Sequence, residues 1–378
     1  MIKRLKSRRI VLNDCLFNGF VYVQNGRITA VTRENLPFDE EIDLGDKYLA
    51  SGFIDLHVHG GNGVDFGNCS SDEVRRAVVF HQRHGTTAML ATLVAAPLAE
   101  MEKAAKRVRL AGCPSVLGVH FEGPYLSPTQ CGAQGVGALS LPDETAVRSL
   151  LQRSNGYIRR WTYAPELDKD GTFCRTICEG GVIPSAGHTD AVLGDLQAAY
   201  REGCRLITHL YSCTSTVTRT NGYRNLGTVE FAFLEDDVFA EIIADGKHLP
   251  PELIRLIVKL KGRERVLLVT DALSVAGSSA ACGDLNGVAY VVEDGVCKLP
   301  DRTAFAGSIA TTDRLVRTCV KEVGLSVVDS VYMASTAPAE VLGIQKGRIE
   351  AGYDADLVVF DDDIRVTAVY LGGERSDA

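Results

Sequence analysis

Between residues 52 and 343, short apolar runs alternate with longer amphipathic stretches, and no other pattern restricts the fold of this chain as strongly. The predicted strands are Phe53–His59, Thr86–Thr92, Ser115–Phe121, Arg160–Ala164, Val182–Ala186, Arg205–His209, Glu241–Ala244 and Val266–Asp271. Helical stretches lie between them over Asp72–His84, Leu98–Ala111, Asp143–Arg153, Asp190–Arg201 and Pro251–Lys261, and Thr312–Val323 follows the last strand. Eight strands alternating with helices predict an α/β fold, a (β/α)8 TIM barrel.

The two ends of the chain read differently. Arg9–Val11 and Phe20–Gln24 flank Asn18-Gly19, and Asn25-Gly26 leads into Arg27–Thr32, so both Asn-Gly pairs are expected to be hairpin turns. The pattern returns at Ala355–Phe360 and at Arg365–Tyr370. Both ends are therefore predicted to build one small β-sandwich domain, residues 1–51 and 344–378, with the barrel of residues 52–343 inserted between them.

Composition excludes several function classes. A net charge of −8 argues against a general binder of nucleic acid or of membrane surfaces. No stretch of about 18 apolar residues predicts a membrane span, and the basic N-terminus lacks the apolar segment of an export signal. The 11 cysteines are odd in number and form no CxxC pair, which fits reduced thiols and a cytoplasmic location.

Chemistry in such barrels sits at the carboxyl ends of the strands. His57 and His59 share one face at the end of the first strand, because side chains two apart in a strand project together. Glu122 ends the third strand, His188 follows the fifth, His209 ends the sixth and Asp271 ends the eighth. Imidazoles and a carboxylate converging on one rim suit a divalent ion, zinc first, with Fe2+, Mn2+, Co2+ or Ni2+ also compatible. Glu122, His188 and His209 would leave a coordination position open. His57 and His59 would hold a second ion with Glu122 bridging, or orient water or substrate over a single one. Asp271 is the candidate general base. His120, two before Glu122, is expected one layer deeper, and His81 and His84 carry no functional claim.

Several segments resemble the amidohydrolase superfamily and, within it, the N-acetylglucosamine-6-phosphate deacetylases. They are Gly52–Gly60, His84–Thr87, His120–Pro124, Ala164–Glu166, Ala186–Thr189, Thr208–Tyr211, Ile243–His248, Val269–Ala272 and Ala306–Ser308. The resemblance implies that Glu122, His188 and His209 bind metal, that His57 and His59 match members with a second site, and that Asp271 is the acid/base. It implies a phosphorylated N-acetyl amino sugar as substrate. His248 would then contact the phosphate side of the sugar, Gln134 would lie near the acetamido group, and Gly307-Ser308-Ile309 would cover the acetyl pocket. Arg224 matches an arginine that binds phosphate from the neighbouring subunit, which implies a homodimer. On the substrate side the chain departs from the family pattern. Ser212-Cys213-Thr214 replaces Asn-Ala-Met at a position that helps hold the sugar, and Asn225-Leu226 follows Arg224 where the family has Glu-Pro.

The alternatives are an N-acetylgalactosamine-6-phosphate deacetylase or another amide hydrolase of the superfamily. A cyclic-amide hydrolase generally needs a carboxylated lysine on the fourth strand, and residues 156–166 contain no lysine. A deaminase acting on adenosine-like substrates typically pairs aspartates on the eighth strand, whereas Asp271 follows Thr270. A barrel that had lost its chemistry would lack ligands, and none is missing.

Overall fold

A computed structural model describes residues 1–377. Eight strands run parallel, each beside the next in sequence: Phe53–Val58, Thr86–Leu93, Val116–Glu122, Ile158–Tyr163, Ile183–Ala186, Leu206–Ile207, Phe239–Ile242 and Val266–Leu268. The eighth strand's extension meets the first. Asp271 N–H donates to the His57 carbonyl at 2.8 Å, and His59 N–H donates to the Ala272 carbonyl at 2.9 Å. The barrel therefore closes at the residues predicted to carry the chemistry.

Each strand is followed by a helix, including Thr172–Glu179 after the fourth and Thr228–Leu234 after the sixth, which are additional to those named from sequence. The helices start where local chemistry satisfies their free N–H groups. Asp143 accepts from Ala146 N–H at 2.8 Å, and Ser70 N–H donates to Glu73 at 3.0 Å in a capping box. Their apolar faces pack on the strands around Phe121, Trp161, Tyr163 and Leu268.

The sixth and eighth strands are shorter than predicted. His209 has φ 27° and Asp271 has φ 49°, left-handed values that a strand cannot contain. The ladder therefore ends before His209 and Asp271, the candidate site residues, which sit on turns just above it.

Strands from both ends of the chain form one mixed sheet. Tyr48–Ser51 pairs parallel with Lys3–Val11 and antiparallel with Leu357–Phe360, around a core that includes Leu5, Val21, Leu49, Leu357 and Tyr370. Asn25-Gly26 makes the expected turn, both residues having positive φ. Asn18-Gly19 does not. It lies inside Leu16–Gln24, and the chain reverses one step earlier, where Leu12 N–H bonds the Cys15 carbonyl. A Cβ at Gly19 would meet the Phe17 ring at 2.4 Å, so this glycine serves close packing within a strand.

A four-stranded antiparallel sheet, Cys282–Leu285, Val288–Glu293, Val296–Lys298 and Phe305–Ser308, follows the eighth strand. An exposed hairpin, Thr218–Thr220 with Tyr223–Asn225, follows the sixth. No described helix is long and apolar enough to cross a membrane.

Candidate functional site

The rim of the barrel gathers six buried donors into two adjoining sets, His57, His59 and Asp271 beside Glu122, His188 and His209. Local structure explains the gathering. Pairing between the first two strands is irregular from Asp55 to Val58, and the Asp55 carboxylate accepts His57 N–H at 3.1 Å and the Thr270 hydroxyl at 2.5 Å. Gly187 lets the fifth and sixth strands approach, since a Cβ there would lie 2.6 Å from Thr208 Cβ. His188, His209 and Asp271 all have positive φ. Such conformations cost about 1–3 kcal/mol each and persist where the surrounding structure imposes them, often at functional sites.

Glu122 joins the two sets. Its Oε1 lies 3.1 Å from His188 Nε2, 3.1 Å from His209 Nε2 and 3.3 Å from His57 Nε2. Its Oε2 lies 3.3 Å from His59 Nε2 and accepts Gln134 Nε2–H at 2.6 Å. Asp271 Oδ1 is 3.1 Å from His59 Nε2 and 3.4 Å from His57 Nε2. His188 Nδ1–H donates to the Gln130 carbonyl at 2.8 Å, so Nε2 of the neutral ring is a bare lone pair. That lone pair, His209 Nε2 and Glu122 Oε1 stand 3.1 Å from one another. Three electron-rich atoms this close fit a cation among them, and the spacing approaches the roughly 3.3 Å edge of a tetrahedron with bonds of about 2.0 Å.

The titration of the cluster expresses the same demand for positive charge. Burial pulls the His57 imidazole down, but Glu122 and Asp271 outweigh it and lift it to about 9. Burial likewise opposes protonation of His59, yet Asp271 and Glu122 raise it to about 10. Burial pushes Asp271 up, and the charges of His57 and His59 reverse this and hold its carboxyl below the ordinary value. The donor set therefore suits a divalent cation.

A polar layer supports these groups from below. His120 bridges the Thr92 and Thr162 hydroxyls at 3.1 and 2.7 Å, which places it one layer beneath Glu122 as expected. Arg160, on the fourth strand, forms a fully buried ion pair with Glu241 on the seventh. Neither of these last two residues stands out in the sequence as part of a site.

Comparison with known proteins agrees with this geometry. Residues 48–375 match the amidohydrolase family. The chain belongs to that family. It is 33% identical over 382 residues to the N-acetylglucosamine-6-phosphate deacetylase of Bos taurus, covering 97% of this chain and 93% of the relative. It is 34% identical over 331 residues to the N-acetylgalactosamine-6-phosphate deacetylase of a Shewanella strain, covering 86% and 82%. Its fold matches that of N-acetyl-D-glucosamine-6-phosphate deacetylase from Mycobacterium smegmatis, solved in complex with N-acetyl-D-glucosamine-6-phosphate, with TM-score 0.92, 31% identity and 99% of each chain covered.

Above these candidate ligands, this amidohydrolase barrel holds a cavity of about 220 Å³. Gln134, Ser212 and His248 line it, as do Ala133, Tyr211, Cys213, Leu285 and Phe305–Gly307. His248 Nδ1–H donates to Asp245 at 2.9 Å, which leaves Nε2 free. Both ends of the Gln134 amide are engaged, Nε2 with Glu122 and Oε1 with Ala95 N–H at 2.8 Å. Ser308 and Ile309 are not part of the wall. Ser308 is fully buried, its hydroxyl donating to the Thr270 carbonyl at 2.5 Å, and Ile309 packs against the core. The neighbouring Ala306 and Gly307 face the cavity instead. Arg224 is exposed on the hairpin and, among the described residues, its side chain bonds only the Gly222 carbonyl, at 3.3 Å. Leu285 and Phe305 come from the four-stranded sheet. Asn286-Gly287 and Asp294-Gly295, all with positive φ, mark two of its hairpin turns and are the sequence signal that could have located it.

Proposed function

We propose that this chain hydrolyses the acetamide of an N-acetylhexosamine 6-phosphate, releasing acetate and the amino sugar phosphate, with N-acetylglucosamine 6-phosphate as its substrate. The sharing of Glu122 between two buried donor sets at the floor of the cavity carries this reading. The names of the relatives support the substrate class.

Glu122, His188 and His209 would hold one cation, and His57, His59 and Asp271, with Glu122 between, a second. Zn2+ suits these nitrogen and oxygen donors best. A cation held there would supply Lewis acidity, to polarise the amide carbonyl and acidify water. Asp271, ionised at neutral pH, takes a proton from the attacking water as the new C–O bond forms. It returns that proton to the departing nitrogen as the C–N bond breaks, giving acetic acid and the free amine. The acid's proton then passes to the amine or to solvent, so that acetate and the ammonium form of the amino sugar leave. Gln134 holds Glu122 in place, and His248, fixed by Asp245, offers Nε2 to the sugar.

Among the described residues, no lysine or arginine lines the cavity. A sugar phosphate therefore needs a cation from outside it, and Arg224 on the exposed hairpin of a second copy in a homodimer supplies one, in a bidentate geometry suited to phosphate. Eleven free cysteines fit a reducing, cytoplasmic setting.

The test is acetate release from N-acetylglucosamine, N-acetylgalactosamine and their 6-phosphates by metal-reconstituted protein. Turnover is expected with N-acetylglucosamine 6-phosphate and much less without the phosphate. No acetate from any of the four would refute the reaction, and preference for the galacto epimer would reassign the sugar.

A further inference from the structure

Arg160 and Glu241 are fully buried in the barrel, yet neither touches the cavity. The Arg160 guanidinium grips both Glu241 oxygens, Oε2 at 2.8 Å, and also donates to Thr208 Oγ1 at 2.9 Å, Ser185 Oγ at 3.1 Å and the Leu56 carbonyl at 3.2 Å. One side chain thus ties together the first, fourth, fifth and seventh strands and Thr208, the residue just after the sixth. Stability alone does not call for such a pair, because the cost of desolvating two charges often matches or exceeds their attraction.

What Glu241 faces gives the pair a purpose. Its Oε2 accepts His209 N–H at 3.4 Å, on a residue held at φ 27°, and lies 3.7 Å from His57 Nδ1. His57 Nδ1 is buried and has no hydrogen-bond partner among the described residues. A histidine that ligates a cation through one ring nitrogen almost always donates the other N–H to a carboxylate, carbonyl or water. For His57, Glu241 is the carboxylate placed to take it, and Nε2 is the nitrogen turned toward Glu122, His59 and Asp271.

We propose that Arg160 and Glu241 are a positioning pair for the cation set of His57, His59 and Asp271. Glu241 takes the His57 Nδ1 proton in a hydrogen bond, leaving Nε2 as a lone pair aimed at the cation, and Arg160 fixes that carboxylate. The inference rests on the cation sets of the proposed function and adds the residues that orient one of them.

Zn2+ titration of chelator-stripped protein against a competing indicator tests it. Wild type is expected to take up two ions per chain. In Glu241→Gln one of them binds on the order of 10- to 100-fold more weakly, while the ion held by Glu122, His188 and His209 keeps its affinity. Glu241→Asp, which keeps the charge, loses less. Because Glu241→Gln strands the Arg160 charge, the neutral double variant Arg160→Met/Glu241→Gln is measured beside it. A pair that only braces the barrel predicts that this double variant binds both ions normally. A positioning pair predicts that it folds and still shows the weakened site.

Wild-type uptake of a single ion, or unchanged affinity for both ions in a folded variant, would overturn the inference. Should neither variant fold, the nitrogen-15 spectrum of Zn2+-loaded wild type decides: a protected Nδ1–H signal that disappears in His57→Gln supports the pair, and its absence refutes it. A wild-type chain that binds both ions but releases no acetate from any sugar refutes the proposed reaction and leaves the pair standing.

Discussion

Asp271 carries the sharpest prediction at the scale of single residues. Its Oδ1 lies within 3.1–3.4 Å of both imidazoles of its set, close enough to steady a cation and to relay a proton. Asn at this position keeps the shape and removes the base. Asp271→Asn is expected to retain the cation held by Glu122, His188 and His209, while kcat for acetate release falls on the order of 10² or more. Near-normal turnover would remove Asp271 from the role of base. Gln134 yields a prediction of a different kind. Gln134→Leu strips a donor from Glu122 and leaves Ala95 N–H unpaired, so Zn2+ affinity should fall on the order of 10- to 100-fold and the fold should lose about 1–3 kcal/mol. Competition titration and urea denaturation measure the two effects separately. The role of Gln134 was only half legible in the sequence, where family resemblance places it near the acetamide. Its bond to Glu122 depends on a loop crossing 12 residues of chain, a distance that local pattern does not encode.

At the scale of elements, the first helix is pinned to the turn that follows the His57/His59 strand. His81, fully buried on Ser71–Arg83, donates Nε2–H to the Gly60 carbonyl at 2.8 Å. Burial holds its imidazole down to about 4. Unfolded, the same ring titrates near 6.5. Above about pH 6.5 the ring is neutral in both states and the full stability is present. As pH falls from there through about 4, the unfolded chain takes up a proton that the folded chain refuses, and up to about 3 kcal/mol is lost. Urea denaturation between pH 7 and pH 4.5 should show this loss. His81→Gln, which keeps a donor for Gly60 without a titrating ring, should lose correspondingly less over the same range. Parallel profiles for the two proteins would remove His81 as the cause. The sequence placed this helix correctly to within a residue at each end, because an amphipathic pattern with a Ser70–Glu73 capping box is local information. It said nothing of the tether, which spans 21 residues.

At the scale of the whole molecule, the cavity contains the proposed catalytic groups but, among the described residues, no lysine or arginine, and the exposed hairpin carries Arg224 away from it. If two copies exchange this hairpin, inactivating lesions in different chains should complement. Arg224→Ala and Asp271→Asn are each expected to be poor deacetylases of the 6-phosphate, the first through KM and the second through kcat. Mixed after dissociation and reassociation, they should recover about a quarter of wild-type sites, because half of the dimers are hybrid and each hybrid has one intact site. Acetate release that never exceeds the mean of the two separate variants would show that Arg224 serves its own chain or none.

The sequence by itself determined the barrel and its chemistry-bearing rim. Apolar strands alternating with helices admit few other architectures, and His57, His59, Glu122, His188, His209 and Asp271 all stand at strand ends, where such a barrel concentrates function. These are statements about position along a strand, and strand periodicity is a property of neighbouring residues. Only the tertiary structure decided that Glu122 lies between two sets of buried donors, that Ser308 turns inward while Gly307 faces the cavity, and that Arg160 reaches across to Glu241 behind His57. Those outcomes depend on distances between strands far apart in the chain. Those distances are set by barrel closure and by the left-handed turns at His188, His209 and Asp271.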